Sequence, residues 1–112
     1  MAMSERSEGG VIVVELSGSF LGDPEVKDFH DRLRQLKDDG SNNVVADLSR
    51  VDLISSAGVG ALVGGAKTLR ESQGDLKLAN LSERTHNVLV VIARLGSVFN
   101  IHDTVDQAIA DF

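Results

Sequence analysis

The chain has 112 residues, 42% of them hydrophobic and 25% charged, and it contains no cysteine, tryptophan or tyrosine. Such a length and balance fit one globular domain and exclude a second folded module, a disulfide framework and a cysteine-based zinc site. Seventeen acidic against eleven basic residues leave a net charge of -6, which repels phosphate backbones and anionic lipid, so neither nucleic acid nor a membrane is expected as a direct partner.

Residues 1–10 carry Ser, Glu and Arg without an apolar stretch. They predict a flexible N-terminal segment rather than a signal peptide, with a single domain over 11–112 and a cytoplasmic location. Val11 to Leu16 and Ser19 to Leu21, separated by Gly18, predict a hairpin of two strands. Asp23 is placed to cap a helix with Pro24 in its first position. Val26, Phe29, Leu33 and Leu36 then recur at helical spacing until Gly40 stops it. Val44 to Leu48 is apolar on both faces, the mark of an interior strand covered by helices. A loop from Ser49 to Ser55 leads into a second helix, Ser56 to Gln73, with Val59, Leu62, Val63, Ala66 and Leu69 turned inward. The longest uninterrupted apolar run, 57–66, lies in this helix and falls well short of the roughly 18 residues a membrane span needs. Leu76 to Ala79 predicts a strand. Ser82 caps a third helix with the stripe Val88, Val91, Ile92 and Leu95, closed by Gly96. Val98 to Ile101 predicts a last strand, and Asp103 caps a final helix with Val105, Ala108, Ile109 and Phe112 on one face. Helices alternating with strands after a hairpin give an α/β fold with a mixed sheet, in which right-handed crossovers place the helices mainly on one face.

The second helix is unusual. Gly58, Gly60, Gly64 and Gly65 all fall inside it, at a cost of roughly 3–4 kcal/mol relative to alanine. A helical wheel leaves Gly60, Ala61, Gly64, Gly65, Lys67 and Thr68 on the arc away from the apolar stripe. Two readings stand: a docking face for another surface, or close packing against this chain's own elements. Ser55 and Ser56 sit where a cap is wanted, and again two readings stand. One is a plain cap. The other is a phosphorylation switch, since the helix dipole and unpaired N–H groups tolerate an anion that a docked partner would meet directly.

The run Asp47-Leu48-Ser49-Arg50-Val51 through Ile54-Ser55-Ser56-Ala57-Gly58-Val59-Gly60-Ala61-Leu62 resembles the signature of STAS domains, specifically the small stand-alone anti-sigma factor antagonists. The resemblance implies a four- to five-stranded mixed sheet with helices mainly on one face. It also implies a partner-binding surface around the start of the second helix, here Asp23, Ser55, Ser56, Ala57, Gly58, Gly60, Ala61 and Gly64. In that family the partner is an anti-sigma factor that is also an ATP-dependent serine kinase. The unmodified antagonist binds it and frees a sigma factor, phosphorylation ends the binding, and a serine phosphatase resets the cycle. The phosphorylated position corresponds to Ser56, with Ser55 as the alternative. Two departures stand out: Ser55 occupies a position that is often Asp or Asn in the family, and the stretch after Gly18 reads Ser19-Phe20-Leu21-Gly22, with Asp23 as the nearest acid. The competing role is a non-phosphorylated STAS scaffold, a subunit of a transport or stress-signalling assembly.

Signs of an enzyme are weak. The third glycine of a dinucleotide fingerprint begun at Gly58 and Gly60 would fall at Val63, and Gly65-Ala66-Lys67 breaks the phosphate-loop ending. His30, His86 and His102 have no metal-ligand spacing. A binding module with no catalytic residue, cofactor or metal site is therefore expected.

Overall fold

The computed structural model describes residues 2–112. Among them, five strands form one sheet in the order β1 (Ala2–Glu8), β2 (Val11–Phe20), β3 (Asn43–Ile54), β4 (Asp75–Ala79) and β5 (Ile101–His102). β1 runs antiparallel to β2, and β2 to β5 are parallel, so the sheet is mixed as anticipated. The helices are α1 (Glu25–Asp38), α2 (Ser56–Arg70), α3 (Glu83–His86), which widens into a π-helical stretch over Asn87–Ile92, and α4 (Val105–Ala110).

Alternation along β3 explains why both faces are apolar. Val44, Ala46 and Leu48 pack with Phe29, Leu33, Leu62 and Leu69 of α1 and α2, whereas Val45 joins Val11, Val13 and Ala79 beneath Val105 and Ala108 of α4. Phe20 and Phe29 meet edge to face at 5.5 Å in the larger cluster. Each such buried side chain stabilises the fold by about 1.5–3 kcal/mol. On the α4 side Lys77 is sealed into the sheet, its side chain 7% exposed. Its ammonium donates to Asp111 Oδ2 at 2.6 Å and to the Asp111 carbonyl at 2.9 Å, and lies 4.5 Å from the Phe112 ring centroid. His102 Nε2 lies 3.1 Å from the same carboxylate oxygen. The hydrogen bond from Lys77, reinforced by its charge and by His102, holds the Asp111 carboxyl below the ordinary aspartate range.

Several elements depart from the sequence reading, each for a physical reason. The opening hairpin is β1 against β2, joined through Gly9 and Gly10 at φ +59° and +84°, the left-handed pair that a tight hairpin turn requires. β2 itself runs from Val11 through Phe20, absorbing Gly18 as a register irregularity instead of turning there. Residues 2–10 are thus structured, not a flexible segment ending at 10, and Met1 lies outside the described residues. β1 escaped notice because an edge strand needs little apolar content. Met3 alone of its residues packs on the main core, while Arg32 Nε reaches across from α1 to Glu5 Oε2 at 2.7 Å. The loop expected over Ser49–Ser55 is strand as far as Ile54, because β3 continues beside Ser17–Phe20 and buries Val51.

Ser82 caps α3 as anticipated, its hydroxyl accepting from Thr85 N–H at 3.2 Å. The π-helical widening then shifts the phase, burying Leu89 and leaving Val91 and Ile92 60% and 68% exposed. β5 is the short Ile101–His102, not Val98–Ile101, and Thr104, not Asp103, caps α4 by accepting from Gln107 N–H at 3.1 Å.

Candidate docking surface around Ser56

The parallel strands β2 and β3 end side by side, with Phe20 paired to Ile54. The next backbone group, Ser55 N–H, donates to the Phe20 carbonyl at 3.2 Å, which fastens the start of α2 to the tip of β2. Ser55 is extended, at φ -100° and ψ 175°, and is the N-cap. Its hydroxyl accepts from Gly58 N–H at 3.3 Å and donates to the Leu21 carbonyl at 2.7 Å. Ser56 is the first residue of α2 and is exposed, and its hydroxyl makes no hydrogen bond among the described residues. The structure therefore gives the two serines different roles, one structural and one unoccupied.

Around Ser56 the surface combines small and apolar residues with the exposed acids Asp23 and Asp52. Ala57 and Gly60 are exposed, and Leu21 and Leu53 at the strand tips stand 49% and 43% exposed. Asp23 is exposed two residues beyond Leu21; the N-cap is Pro24 and α1 begins at Glu25, one residue later than expected, although Asp23 Oδ1 still accepts from Lys27 N–H in the first turn at 3.2 Å. Neither 19–26 nor 51–66 contains a Lys or Arg. New negative charge at Ser56 would find no cation within either segment.

Most of the glycine arc is not a docking face. A Cβ at Gly64 would come 2.7 Å from His30 Cε1, one at Gly65 would press on Leu33, and one at Gly58 would collide with the Phe20 carbonyl oxygen. Ala61 is itself buried. Gly58, Ala61 and Gly64 are thus corrected from partner contacts to internal packing, the second of the two readings of the arc. The wheel assumed one packing partner for α2, but α2 packs against both the sheet and α1, and the small residues let α1 approach. Of the helix glycines Gly60 is open, with nothing within 4 Å of an added Cβ. A hairpin at Ser19–Leu21 and a loop at Ser49–Ser55 give Leu21 and Leu53 no distinct place. Strand alternation opposite the buried Phe20 and the inward Ile54 is the signal that finds them.

Asp47, which brackets the signature, is buried, with Oδ1 accepting from Ser49 N–H at 3.0 Å and from Asn80 Nδ2 at 3.3 Å. That is structural work. Among the described residues no three His, Cys, Asp or Glu side chains gather as a metal site, and no helix is long and apolar enough to cross a membrane.

A mixed five-stranded sheet with an exposed serine at the head of the helix after β3 defines the architecture that the sequence signature had implied. A model of the STAS domain matches residues 3–108, and the chain belongs to that family. Among its relatives is BtrV of Bordetella bronchiseptica, named as a candidate anti-sigma factor antagonist. It is 39% identical over 75 residues, which make up 67% of this chain and 64% of that protein, so the match spans a little under two thirds of the relative's length. The structure of an anti-sigma factor antagonist from Mycobacterium paratuberculosis superposes with a TM-score of 0.82 at 22% identity, over 98% of this chain and 92% of that one. SpoIIAA of Bacillus in its phosphorylated form gives 0.75 at 20% identity, over 98% of each chain. The unphosphorylated form gives 0.76 at 18%, over 98% of this chain and 96% of that one. At such identities the structural matches establish the shared fold.

Proposed function

We propose that this chain is a cytoplasmic, non-enzymatic anti-sigma factor antagonist. Its unmodified form docks an anti-sigma factor serine kinase through the surface around Ser56 and so releases a sigma factor. Phosphorylation of Ser56 by that kinase ends the complex, and a serine phosphatase restores it. The relatives named as anti-sigma factor antagonists, and SpoIIAA solved in a phosphorylated form, support this reading.

The observation that carries it is the division between the adjacent serines. Phosphorylating Ser55 would break the hydrogen bond its hydroxyl donates to the Leu21 carbonyl and disturb the cap on Gly58. Ser56 loses nothing, because its hydroxyl is unoccupied. In the transfer, Ser56 Oγ displaces ADP from the γ-phosphorus of ATP and its proton leaves to a base of the kinase. The product sits at the head of α2, where the macrodipole and unpaired N–H groups favour a negative charge by about 0.3–1 kcal/mol, so the fold survives. The docking surface does not remain the same. A surface built from 19–26 and 51–66, segments that contain no Lys or Arg, acquires about -1.5 to -2 charges, and the cost of stripping water from that phosphate opposes docking of a partner shaped for the bare serine.

Incubation with a purified anti-sigma factor kinase and ATP, followed by mass-spectrometric mapping, tests the assignment. Phosphate should appear on Ser56, persist in Ser55→Ala and vanish in Ser56→Ala. If neither serine is modified under conditions that phosphorylate an established antagonist, the switch is refuted and a non-phosphorylated scaffold takes its place.

A further inference from the structure

The exposed face of α2 continues well past its tip. Ser56, Gly60, Val63, Lys67 and Arg70 follow at alternating steps of four and three residues, which aligns them in one stripe along the helix. At a rise of 1.5 Å per residue the stripe is about 21 Å long, roughly four turns. Ser56, Gly60, Lys67 and Arg70 along it are exposed, and Val63 is half-buried at the margin of the main core.

Past Gly60 the stripe opens into a groove of about 360 Å³, lined by Val63, Lys67, Arg70, Glu71 and Val98. Its far wall is held in place. Arg70 Nη2 donates to the Val98 carbonyl at 2.8 Å and Nε to Asp75 Oδ1 at 2.8 Å, while Asn100 Nδ2 donates to Asp75 Oδ2 at 2.7 Å. Most charges here are answered: Arg70 by Asp75, and Glu71 by Lys37 at 4.0 Å. Lys67 has no ion pair or hydrogen bond among the described residues. In a chain of net charge -6, an unanswered ammonium above a valine-walled groove complements a carboxylate carried next to an apolar side chain.

We infer that the partner lays an amphipathic helix along this stripe, close to the backbone at Gly60, with an apolar side chain in the Val63–Val98 groove and a carboxylate on Lys67. The inference rests on the reading of Ser56 as a docking centre and extends it from the helix tip to the whole helix face. A helix is the occupant because a stripe at four-three spacing meshes with the ridges of another helix. An extended segment that adds as a strand would need a free strand edge, which α2 does not offer.

The test compares Gly60→Leu, Lys67→Glu and Ser56→Asp by calorimetric titration against each purified anti-sigma factor kinase of the source organism. A side chain at Gly60 starts in open space and Lys67 is exposed, so the first two variants should melt no lower than the parent. Both should bind at least tenfold more weakly, and an acid-to-lysine substitution on the partner helix should restore Lys67→Glu. Loss of binding in only one of the two overturns the continuous track, and failure of every acid-to-lysine substitution overturns the charge contact. If Ser56→Asp fails to bind while the other two bind like the parent, contact is confined to the tip and the stripe is refuted with the Ser56 reading intact. If all three bind like the parent, or the parent binds no such kinase, the docking function itself falls and the stripe with it.

Discussion

Gly60 and Gly65 lie five residues apart in α2, yet alanine should raise stability at the first and fail to raise it, or lower it, at the second. Replacing an interior helix glycine by alanine gains about 1 kcal/mol of propensity. At Gly60 the added methyl meets nothing within 4 Å, so the gain is undiminished and the melting temperature should rise by about 3–6 °C for a domain of this size. At Gly65 the methyl would lie 2.5 Å from Leu33 Cδ1, 3.2 Å from Leu76 Cδ2 and 3.3 Å from Phe29 Cε2. All three neighbours are fully buried, so α1 has to retreat. Overpacking of that kind costs about 1–3 kcal/mol, which meets or exceeds the propensity gain and leaves a net loss of up to about 2 kcal/mol. Thermal melts followed by circular dichroism, with urea titrations for the free energies, measure both. Gly65→Ala melting as high as Gly60→Ala would refute the claim that glycine in this helix serves the approach of α1.

Ser55→Ala should lose about 1 kcal/mol through the missing cap. Ser56→Asp should leave the melting temperature nearly unchanged while partner binding falls, and a large drop in melting would instead mark Ser56 as a structural cap. The hydrogen bond from Arg32, aided by its charge, holds the Glu5 carboxyl below the ordinary glutamate range. With the native value depressed, that contact stabilises fully above the ordinary glutamate pKa, and the contribution disappears as the pH falls through the lower native value. Arg32→Gln should therefore flatten the acid limb of the stability profile, and an unaltered limb in urea titrations across acidic pH would contradict the pairing. Asp111→Asn should destabilise more than Lys77→Met, because the first leaves a buried ammonium uncompensated and the second removes it. Equal melting temperatures would argue against the pairing of Lys77 with Asp111.

α1 was readable almost end to end because every signal is local: Asp23 reaches the Lys27 N–H, Phe29, Leu33 and Leu36 form the buried stripe, and Gly40 takes the left-handed turn at φ +82°. Where structure depends on a distant neighbour, the sequence is quieter. β1 is polar because an edge strand has one partner, and β3 outruns its apolar half because β2 continues beside it. The π-helical turn at Asn87–Ile92 has no periodic signature of its own, so an α-helical stripe continued through it puts Val91 and Ile92 on the wrong face. The docking surface divides in the same way. The signature over 47–62 located the serine pair, but choosing the cap required the position of the Leu21 carbonyl. The glycines looked like an open face because nothing in α2 itself announces His30 and Leu33 lying across them.

Lys77 carries a practical consequence. A chain trimmed after Ala110 would retain every residue of α4 yet strip the amine in β4 of its counter-ion and its aromatic lid. Asp111 and Phe112, themselves exposed, therefore cover the buried amine from the solvent side. Any affinity handle or fluorophore joined beyond Phe112 needs a spacer slack enough not to pull these two residues off the amine.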